Sequence, residues 1–277
     1  MDFLKDFKIP MGDMSEMIVD WLKDNARPFF DTLSDGLEWM IDGIVWLLQA
    51  PPAIVIILLF VALTWVLQRS WKTCVLVAVC LLFIINQDYW DEATDSLALV
   101  LSSCVVCMGV GVPIGIFLAH RPRAYQAISP LLDLMQTLPT FVYLIPAIVF
   151  FGLGMVPGLF ATVIFVLPAP IRLTYLGVSK TPVNLLEAAE AFGGTKRQIL
   201  WKVELPYAFP QIMAGLNQVI MLSLSMVVIA AYVGADGLGK PVVRALGRND
   251  PGLGFESGFV IVAVAIMLDR MLRVKTK

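Results

Sequence analysis

Residues 134–171 read LMQTLPTFVYLIPAIVFFGLGMVPGLFATVIFVLPAPI and contain no charged side chain. At about 1.5 Å per residue, a helical stretch of this length can cross the roughly 30 Å hydrocarbon core of a bilayer twice. The Gly and Pro residues clustered at 152–158 predict the turn between the two crossings. Because lipid requires every backbone polar group to be satisfied within its own segment, the stretch indicates membrane-spanning helices.

The composition of the whole chain agrees with this interpretation. Of its 277 residues, 58% are hydrophobic and 15% are charged, and the mean hydropathy is +0.81. A soluble domain needs more charge than this on its surface, and the net charge of −2 argues against a nucleic-acid partner. We predict an all-α, polytopic membrane protein with about seven transmembrane helices. The predicted spans are about 52–67, 73–86, 96–119, 133–152, 158–176, 208–234 and 256–270.

Residues 1–50 differ from the rest because acidic side chains and apolar residues alternate there at helical spacing. We expect one or two amphipathic helices, external or interfacial, with the Trp-rich stretch 37–48 lying along the membrane interface. A true span at this position is the alternative. The chain then divides into the amphipathic region 1–50, a transmembrane pair at 51–93 and a membrane core at 94–277 that includes the polar segment 181–206.

Lys and Arg residues predict the orientation, because short cytoplasmic loops carry an excess of them. Their distribution places the amino terminus outside and the carboxyl terminus in the cytoplasm. The loop 235–255 departs from the pattern, since it is predicted to be external yet carries Lys240, Arg244 and Arg248. We expect a short external helix there, with a re-entrant segment as the alternative. The residues that mark cytoplasmic segments are Arg69, Lys72, Arg121, Arg123, Arg172, Lys180, Lys196, Arg197, Lys202, Arg270, Arg273, Lys275 and Lys277.

The segment 181–206, called the coupling segment below, is a long polar stretch between apolar ones, on the predicted cytoplasmic side. Pro182 can open a first helix, and Gly193-Gly194 can end it. A second helix is predicted over 195–203, after which Leu205-Pro206 end the polar stretch. An amphipathic interfacial hairpin is the alternative explanation of this pattern.

The order Glu187-Ala188-Ala189, Gly193 and Val203-Glu204-Leu205-Pro206 resembles the EAA motif of ABC importer permeases. The resemblance implies a type I ABC importer permease fold, in which the coupling helices sit in a groove of a separate ATPase subunit. It also implies that ATP is hydrolysed by that subunit, so the chain itself is not an enzyme. The residues assigned to ATPase coupling are Glu187, Ala188, Ala189, Gly193, Lys196, Arg197, Lys202, Leu205 and Pro206.

A wider resemblance, over about residues 95–272, is to the proline/glycine betaine permease family. It rests on four stretches: 132–139, 141–144, 172–174 and 215–230. It implies a homodimer in the bacterial inner membrane, two ATPase subunits that bind ATP and Mg²⁺, and a periplasmic or membrane-tethered substrate-binding protein. The implied cargo is a methylated amine, such as glycine betaine, choline, carnitine, proline betaine or trimethylamine N-oxide.

Several polar or aromatic residues lie within apolar surroundings, where they can line a wet pathway or simply tie helices together. Phe141 and Tyr143 can in addition offer aromatic faces to a quaternary ammonium group during passage. The candidate pathway residues are Gln136, Thr137, Phe141, Tyr143, Asn217, Gln218, Ser223 and Ser225.

Other patterns have simpler explanations. Residues 234–240 fit the first seven positions of a phosphate-binding P-loop, but Pro241 stands where the motif needs a Ser or Thr hydroxyl. We therefore expect this chain to bind no cofactor or metal of its own. The four cysteines lie in apolar runs and are expected to pack as small hydrophobes. His120, the only histidine, is expected to be an interfacial anchor, and Gly111-x-x-x-Gly115 predicts a close helix contact.

Two other transport classes are the rivals of an ATP-driven permease. An ion-coupled secondary transporter would show internal repeats and ionisable residues buried within its spans. This sequence shows no internal repeat, and its predicted spans offer only Asp133 and Asp269, both near helix ends. A gated osmolyte channel would allow passive uptake, independent of ATP.

Overall fold

The computed structural model describes residues 11–272, in which all regular structure is helical. Positions 1–10 and 273–277 lie outside this range; they include the start of the predicted amphipathic region and the carboxyl-terminal Arg273, Lys275 and Lys277. The π-helical segment Leu200–Glu204 and the 3₁₀ turns Thr140–Tyr143 and Ala231–Val233 join some of the helices. The α-helices are α1 (Met11–Asn25), α2 (Arg27–Gln49), α3 (Ala53–Gln68), α4 (Trp71–Asn86), α5 (Trp90–Ala119), α6 (Pro122–Thr137), α7 (Leu144–Phe151), α8 (Met155–Val166), α9 (Pro168–Ser179), α10 (Val183–Ala191), α11 (Lys196–Ile199), α12 (Leu205–Ala230), α13 (Gly239–Arg248) and α14 (Pro251–Leu272).

Helices α5, α9 and α12 pack together at the centre of the molecule, and α4 and α14 pack beside them. Glycine allows the close approach of α5 to α9. A Cβ atom on Gly115 would lie 2.6 Å from Cβ of Thr174, and one on Gly111 would lie 2.8 Å from Cγ of Pro170. These distances confirm the helix contact predicted from the Gly111-x-x-x-Gly115 spacing.

Within residues 11–272, four helical runs are long and apolar enough to cross a membrane alone, and two bent helix pairs raise the number to as many as six. Together with α4, a shorter apolar helix, this accords with the predicted number of spans, about seven. One bent pair is α2 and α3, which meet at 102°. That angle suits a helix α2 along the membrane interface that leads into a crossing helix α3. The four runs are Trp90–Ala119, Met155–Ser179, Lys196–Val233 and Pro251–Leu272.

The predicted span 133–152 is wrong as a single straight helix. Helix α6 begins at Pro122 and ends at Thr137, and the chain then turns by 101° before the short α7. Pro139 explains the break, because the ring of a proline disfavours the helical region for the residue before it. Leu138 accordingly adopts φ −63° and ψ 136°. The predicted turn after α7 is confirmed, with Gly152 at φ +75°.

The loop after α12 contains a short helix, α13, as the sequence predicts for residues 235–255. This helix lies beside the loop before α5, where Lys240 and Arg244 line the same cavity as Asp91, Glu92 and Glu256. The loop remains an exception to the predicted Lys and Arg distribution, because that distribution depends on basic residues and hardly on neighbouring carboxylates. The P-loop-like stretch is preceded by a helix, whereas a true P-loop follows a strand.

Candidate functional site: the coupling segment and the polar residues of α12

The coupling segment forms two helical pieces separated by a glycine turn. Helix α10 begins after Pro182 and ends before Phe192, where Gly193 takes the left-handed conformation with φ +78°. The amide of Gly194 donates to the carbonyl of Ala189 at 3.0 Å, so the turn satisfies a carbonyl that the helix end leaves free. The predicted break at Gly193-Gly194 is therefore confirmed.

The second piece starts with a capping box. The hydroxyl of Thr195 accepts from the amide of Gln198, and the Gln198 side chain accepts from the amide of Thr195 at 2.9 Å. This reciprocal pair fixes the first residues of α11. The helical backbone then continues through the π-helical segment directly into α12, as one helical run over Lys196–Val233.

Helix α12 begins at Leu205, where the polar stretch is predicted to end, so Leu205 and Pro206 belong to the next helix. Pro206 lies in the first turn of α12, and its missing amide is accommodated because the π-helical residues just before it change the hydrogen-bond register. The coupling segment is therefore joined to α12 without an intervening loop.

Helix α10 buries none of its residues within the chain, so its surface is open to a partner. The residues predicted for ATPase coupling follow this pattern: Ala189 and Leu205 are half-buried, and the others are exposed. A groove of about 350 Å³ runs between the two helical pieces. It is lined by Ala189, Phe192, Gly193, Gly194, Gln198, Ile199, Lys202 and Val203.

Phe192 is a site residue that sequence reasoning missed. Its side chain is 94% exposed, although it lies immediately before the left-handed Gly193 and lines the groove. The sequence signal that could have found it is a large apolar side chain directly before the glycine turn of a polar segment. An aromatic ring with almost no contacts in its own chain is suited to insertion into another protein.

His120 was predicted to be an interfacial anchor, and the structure gives it a specific partner in addition. Its Nε2 lies 3.1 Å from Oε2 of Glu204, and its Nδ1 lies 2.9 Å from the carbonyl of Ile116. The Glu204 side chain is only 10% exposed, whereas that of His120 is 49% exposed. The pair therefore ties the end of α5 to the π-helical part of the coupling segment, a contact between residues 84 positions apart.

The candidate pathway residues on α12 divide into two groups. Asn217 donates from Nδ2 to Oδ1 of Asp269 on α14 at 3.2 Å, and the hydroxyls of Ser223 and Ser103 lie 2.7 Å apart in the buried core. Both residues tie helices together, which is one of the two alternatives that the sequence left open. Gln218 and Ser225 instead lie on the exposed side of α12.

The candidates around the end of α6 also divide. Tyr143 is 7% exposed and donates its hydroxyl to the carbonyl of Met135 at 3.0 Å, so it offers no open aromatic face. Gln136 is half-buried, and Thr137 donates to the carbonyl of Leu134. Phe141 is 53% exposed. Its ring packs edge-to-face on Tyr232, a residue that sequence reasoning had not singled out.

At the opposite end of α5 and α12 from the coupling segment, charged side chains surround a cavity of about 530 Å³. Lys240 forms an ion pair with Asp236 inside it. Tyr89 lies at the edge of this cavity, and burial, together with the carboxylates of Glu256 and Glu92, raises its pKa. The phenol of Tyr89, already protonated at neutral pH at its ordinary pKa, is thereby held further from ionisation.

The geometry can now be compared with known proteins. Residues 111–269 match the family model described as a binding-protein-dependent transport system inner membrane component. The chain is 46% identical to the glycine betaine transport system permease protein OpuAB of Bacillus subtilis (strain 168), over 98% of this chain and 96% of that protein. It is 45% identical to the glycine betaine/carnitine transport permease protein GbuB of Listeria monocytogenes, over 97% of this chain and 96% of that protein.

Among solved structures, a chain of the MetNI methionine ABC transporter in an inward-facing conformation aligns with a TM-score of 0.58 at 22% identity. The alignment covers 68% of this chain and 96% of that chain. This similarity indicates a shared fold.

Proposed function

Because the chain belongs to the family of binding-protein-dependent transport system inner membrane components, we propose that it is the permease subunit of an ATP-driven importer for glycine betaine or a related methylated amine. The two relatives cited above, similar over nearly their full length, support this substrate class. The related amines are choline, carnitine, proline betaine and trimethylamine N-oxide. The chain is a transport subunit, and ATP with Mg²⁺ is bound and hydrolysed by a separate ATPase.

The observation that carries the mechanism is the uninterrupted helix from Lys196 to Val233. One end of this run carries exposed coupling residues, and the other reaches the loop before α13. A segment docked on an ATPase can therefore move α12 directly. In the proposed homodimer, two such segments approach when two ATPase subunits close on ATP, and they separate after hydrolysis. The permease alternates between outward-open and inward-open states in step.

The groove of the coupling segment is the proposed contact with the ATPase. Phe192 supplies an apolar anchor, while Lys196, Arg197 and Lys202 supply positive charge around it. Glu187, Ala188 and Ala189 shape α10, and Gly193 sets the angle between the two pieces through its left-handed backbone. A central aromatic residue with charged residues around it is a common arrangement at protein interfaces.

The chain is a multi-pass protein of the inner membrane, and we place its coupling segment in the cytoplasm. This orientation puts the amino terminus and α13 outside and the carboxyl terminus inside. The other Lys and Arg residues support it, and Lys240, Arg244 and Arg248 remain the one exception.

The direct test is uptake of labelled glycine betaine by vesicles that contain this chain, its ATPase and its binding protein, with ATP supplied on the ATPase side. We expect saturable uptake that requires all three components. Uptake that persists without the ATPase would contradict the proposal and indicate a secondary transporter or a gated channel. An ATP-hydrolysing complex that moves choline or carnitine but not glycine betaine would instead reassign the substrate within the class.

Gly193 gives a sharper test of coupling. Gly193→Leu forces a left-handed backbone on a residue with a Cβ, at a cost of about 1–2 kcal/mol, whereas Asn tolerates that conformation. We expect Gly193→Leu to insert normally but to lose substrate uptake, and Gly193→Asn to retain most of it. Normal uptake by Gly193→Leu would contradict the coupling role of this turn.

A further inference from the structure

Helix α12 carries a row of polar side chains along its whole length. Gln211, Gln218, Ser225 and Tyr232 are spaced seven residues apart, the last of them in the 3₁₀ turn that ends the helical run, and all four are exposed within the chain. Seven residues make nearly two turns of an α-helix, so each member is displaced by only about 20° from the one before. The four residues, called the polar row below, therefore share one face of α12.

Contact with lipid is energetically unfavourable for the face of α12 that carries the polar row. The row lies on one of the helical runs that can cross the membrane, and exposing an amide to hydrocarbon leaves its polar atoms without hydrogen-bond partners. Helix α14 provides the contrast: between Glu256 and Arg270, near its two ends, its exposed residues are Phe259, Val262 and Ile266, all of them apolar. This face of α14 suits lipid, whereas the side-chain amides of Gln211 and Gln218 in the polar row need water or another polar surface; the Ser225 hydroxyl donates to the carbonyl of Met221 within the helix.

At one end of the row, the rings of Tyr232 and Phe141 meet edge-to-face. Their centroids are 5.4 Å apart, the planes are inclined by 74°, and the side chains are 50% and 53% exposed. A quaternary ammonium group has no N–H with which to donate a hydrogen bond, so it is attracted to aromatic faces instead. Two inclined rings with open faces provide two such surfaces on one side of the pathway.

The sequence around Phe141 supplies neither a basic side chain that would repel a cation nor a carboxylate that would hold it, because the interval 134–171 has no charged residue. A methylated ammonium is thus attracted without a fixed carboxylate that would hold it tightly. Weak, reversible contact is what a transport pathway needs.

We propose that Phe141 and Tyr232 contact the methylated ammonium group of the substrate at the external end of the pathway, and that Gln211, Gln218 and Ser225 line the route toward the cytoplasm. The proposal rests on the proposed function, from which it takes the substrate class. It replaces the pair Phe141 and Tyr143, suggested by the sequence, because Tyr143 is buried.

The test uses the complete transporter in vesicles. Phe141→Leu and Tyr232→Leu keep apolar bulk but remove the aromatic faces, whereas Phe141→Tyr and Tyr232→Phe keep them. We expect each Leu variant to lower the kcat/KM of glycine betaine uptake by about 3- to 30-fold, the range of a single cation–π contact, and each aromatic variant to stay within about twofold of the unaltered chain.

A matched control is the exposed pair Phe255 and Phe259 on α14, whose rings also meet, at a centroid distance of 6.4 Å. The corresponding Leu variants there should leave uptake unchanged. Uptake that is undiminished in both Leu variants of Phe141 and Tyr232, or equally diminished in the control pair, would overturn the aromatic site while leaving the importer assignment intact. If the unaltered complex imports no methylated amine, both proposals fail.

Discussion

Glycine supports two regions of this permease for different physical reasons. In the contact between α5 and α9, Gly111 and Gly115 are needed because any Cβ would collide with the facing helix. In the coupling segment, a Cβ on Gly193 would meet no atom within 4 Å, and the residue is needed for its positive φ. The first region is complete within the chain, whereas the second presents an exposed surface, the proposed contact with the ATPase. Substitutions in the first should therefore affect folding, and substitutions in the second should affect association.

The largest effect is expected for Gly115→Leu. Its Cβ would lie 2.6 Å from Cβ of Thr174 and 2.7 Å from the carbonyl oxygen of Ile171, and the backbone atom cannot move aside without displacing α9. We expect a loss of about 3 kcal/mol or more in the free energy of unfolding, at the upper end of overpacking effects. Size-exclusion chromatography in detergent should show little folded protein.

Gly109→Leu is the matched control on the same helix, because a Cβ at Gly109 meets no atom within 4 Å. This variant should fold and elute like the unaltered chain. If Gly115→Leu folded as well as Gly109→Leu, the close contact between α5 and α9 would not be a determinant of the fold.

The next largest effect concerns the open region. Phe192→Ala removes a ring that is 94% exposed and contributes almost nothing to packing within the chain, so the stability of the isolated permease should stay unchanged. If Phe192 is a central anchor, its loss should weaken ATPase association by about 2 kcal/mol, or near thirtyfold. Binding of the purified ATPase to the permease in nanodiscs measures this effect.

Phe209→Ala provides the comparison for Phe192, since Phe209 is 52% exposed but belongs to α12 outside the coupling segment. It should leave ATPase affinity unchanged. If the unaltered chain, Phe192→Ala and Phe209→Ala all bound the ATPase with equal affinity, the groove around Phe192 would not be the docking surface.

The difference between the two regions also explains what the sequence could predict. Apolar runs located the crossing helices, and Gly193-Gly194 located the turn of the coupling segment, because each depends on neighbouring residues. The break of the span 133–152 was missed, although Pro139 carried the signal, because the absence of charge from 134 to 171 was given more weight than the proline.

Contacts between distant residues were beyond the sequence. Nothing local indicates that His120 meets Glu204, or that Phe141 packs on Tyr232, ninety-one positions later, while Tyr143 turns inward. Likewise, Asn217 and Gln218 are adjacent polar residues of the same helix, yet one ties α12 to α14 and the other is exposed. Their roles depend on which side of α12 faces the core, and that is decided by packing.

The third prediction concerns the link between the two regions, the pair His120 and Glu204. Removing His120 leaves a carboxylate that is 10% exposed without its partner, whereas removing Glu204 leaves an imidazole that water can reach. His120→Ala should therefore lower the free energy of unfolding by about 1–2 kcal/mol, and Glu204→Ala by less.

The double variant should then be more stable than His120→Ala alone, because the carboxylate left without a partner is gone. Thermal unfolding of the unaltered chain, the two single variants and the double variant in one detergent gives this comparison. Additive losses would mean that the two side chains act independently and that the link between α5 and the coupling segment lies elsewhere.

The smallest effect is expected at Thr195, where the capping box acts only on the open region. Thr195→Ala removes the hydroxyl that accepts from the amide of Gln198, and such a cap contributes about 1 kcal/mol to its helix. Because α11 is continuous with the π-helical segment, the loss should appear as faster amide exchange over 196–204 and as an ATPase affinity lower by about fivefold or less. Thr195→Ser retains a capping hydroxyl and should restore both values. If amide exchange in 196–204 stayed unchanged in Thr195→Ala, continuity with α12 alone would hold this segment in place. The structure of the coupling segment would then depend on its neighbouring helix, as the α5–α9 contact depends on packing, and not on its own capping residues.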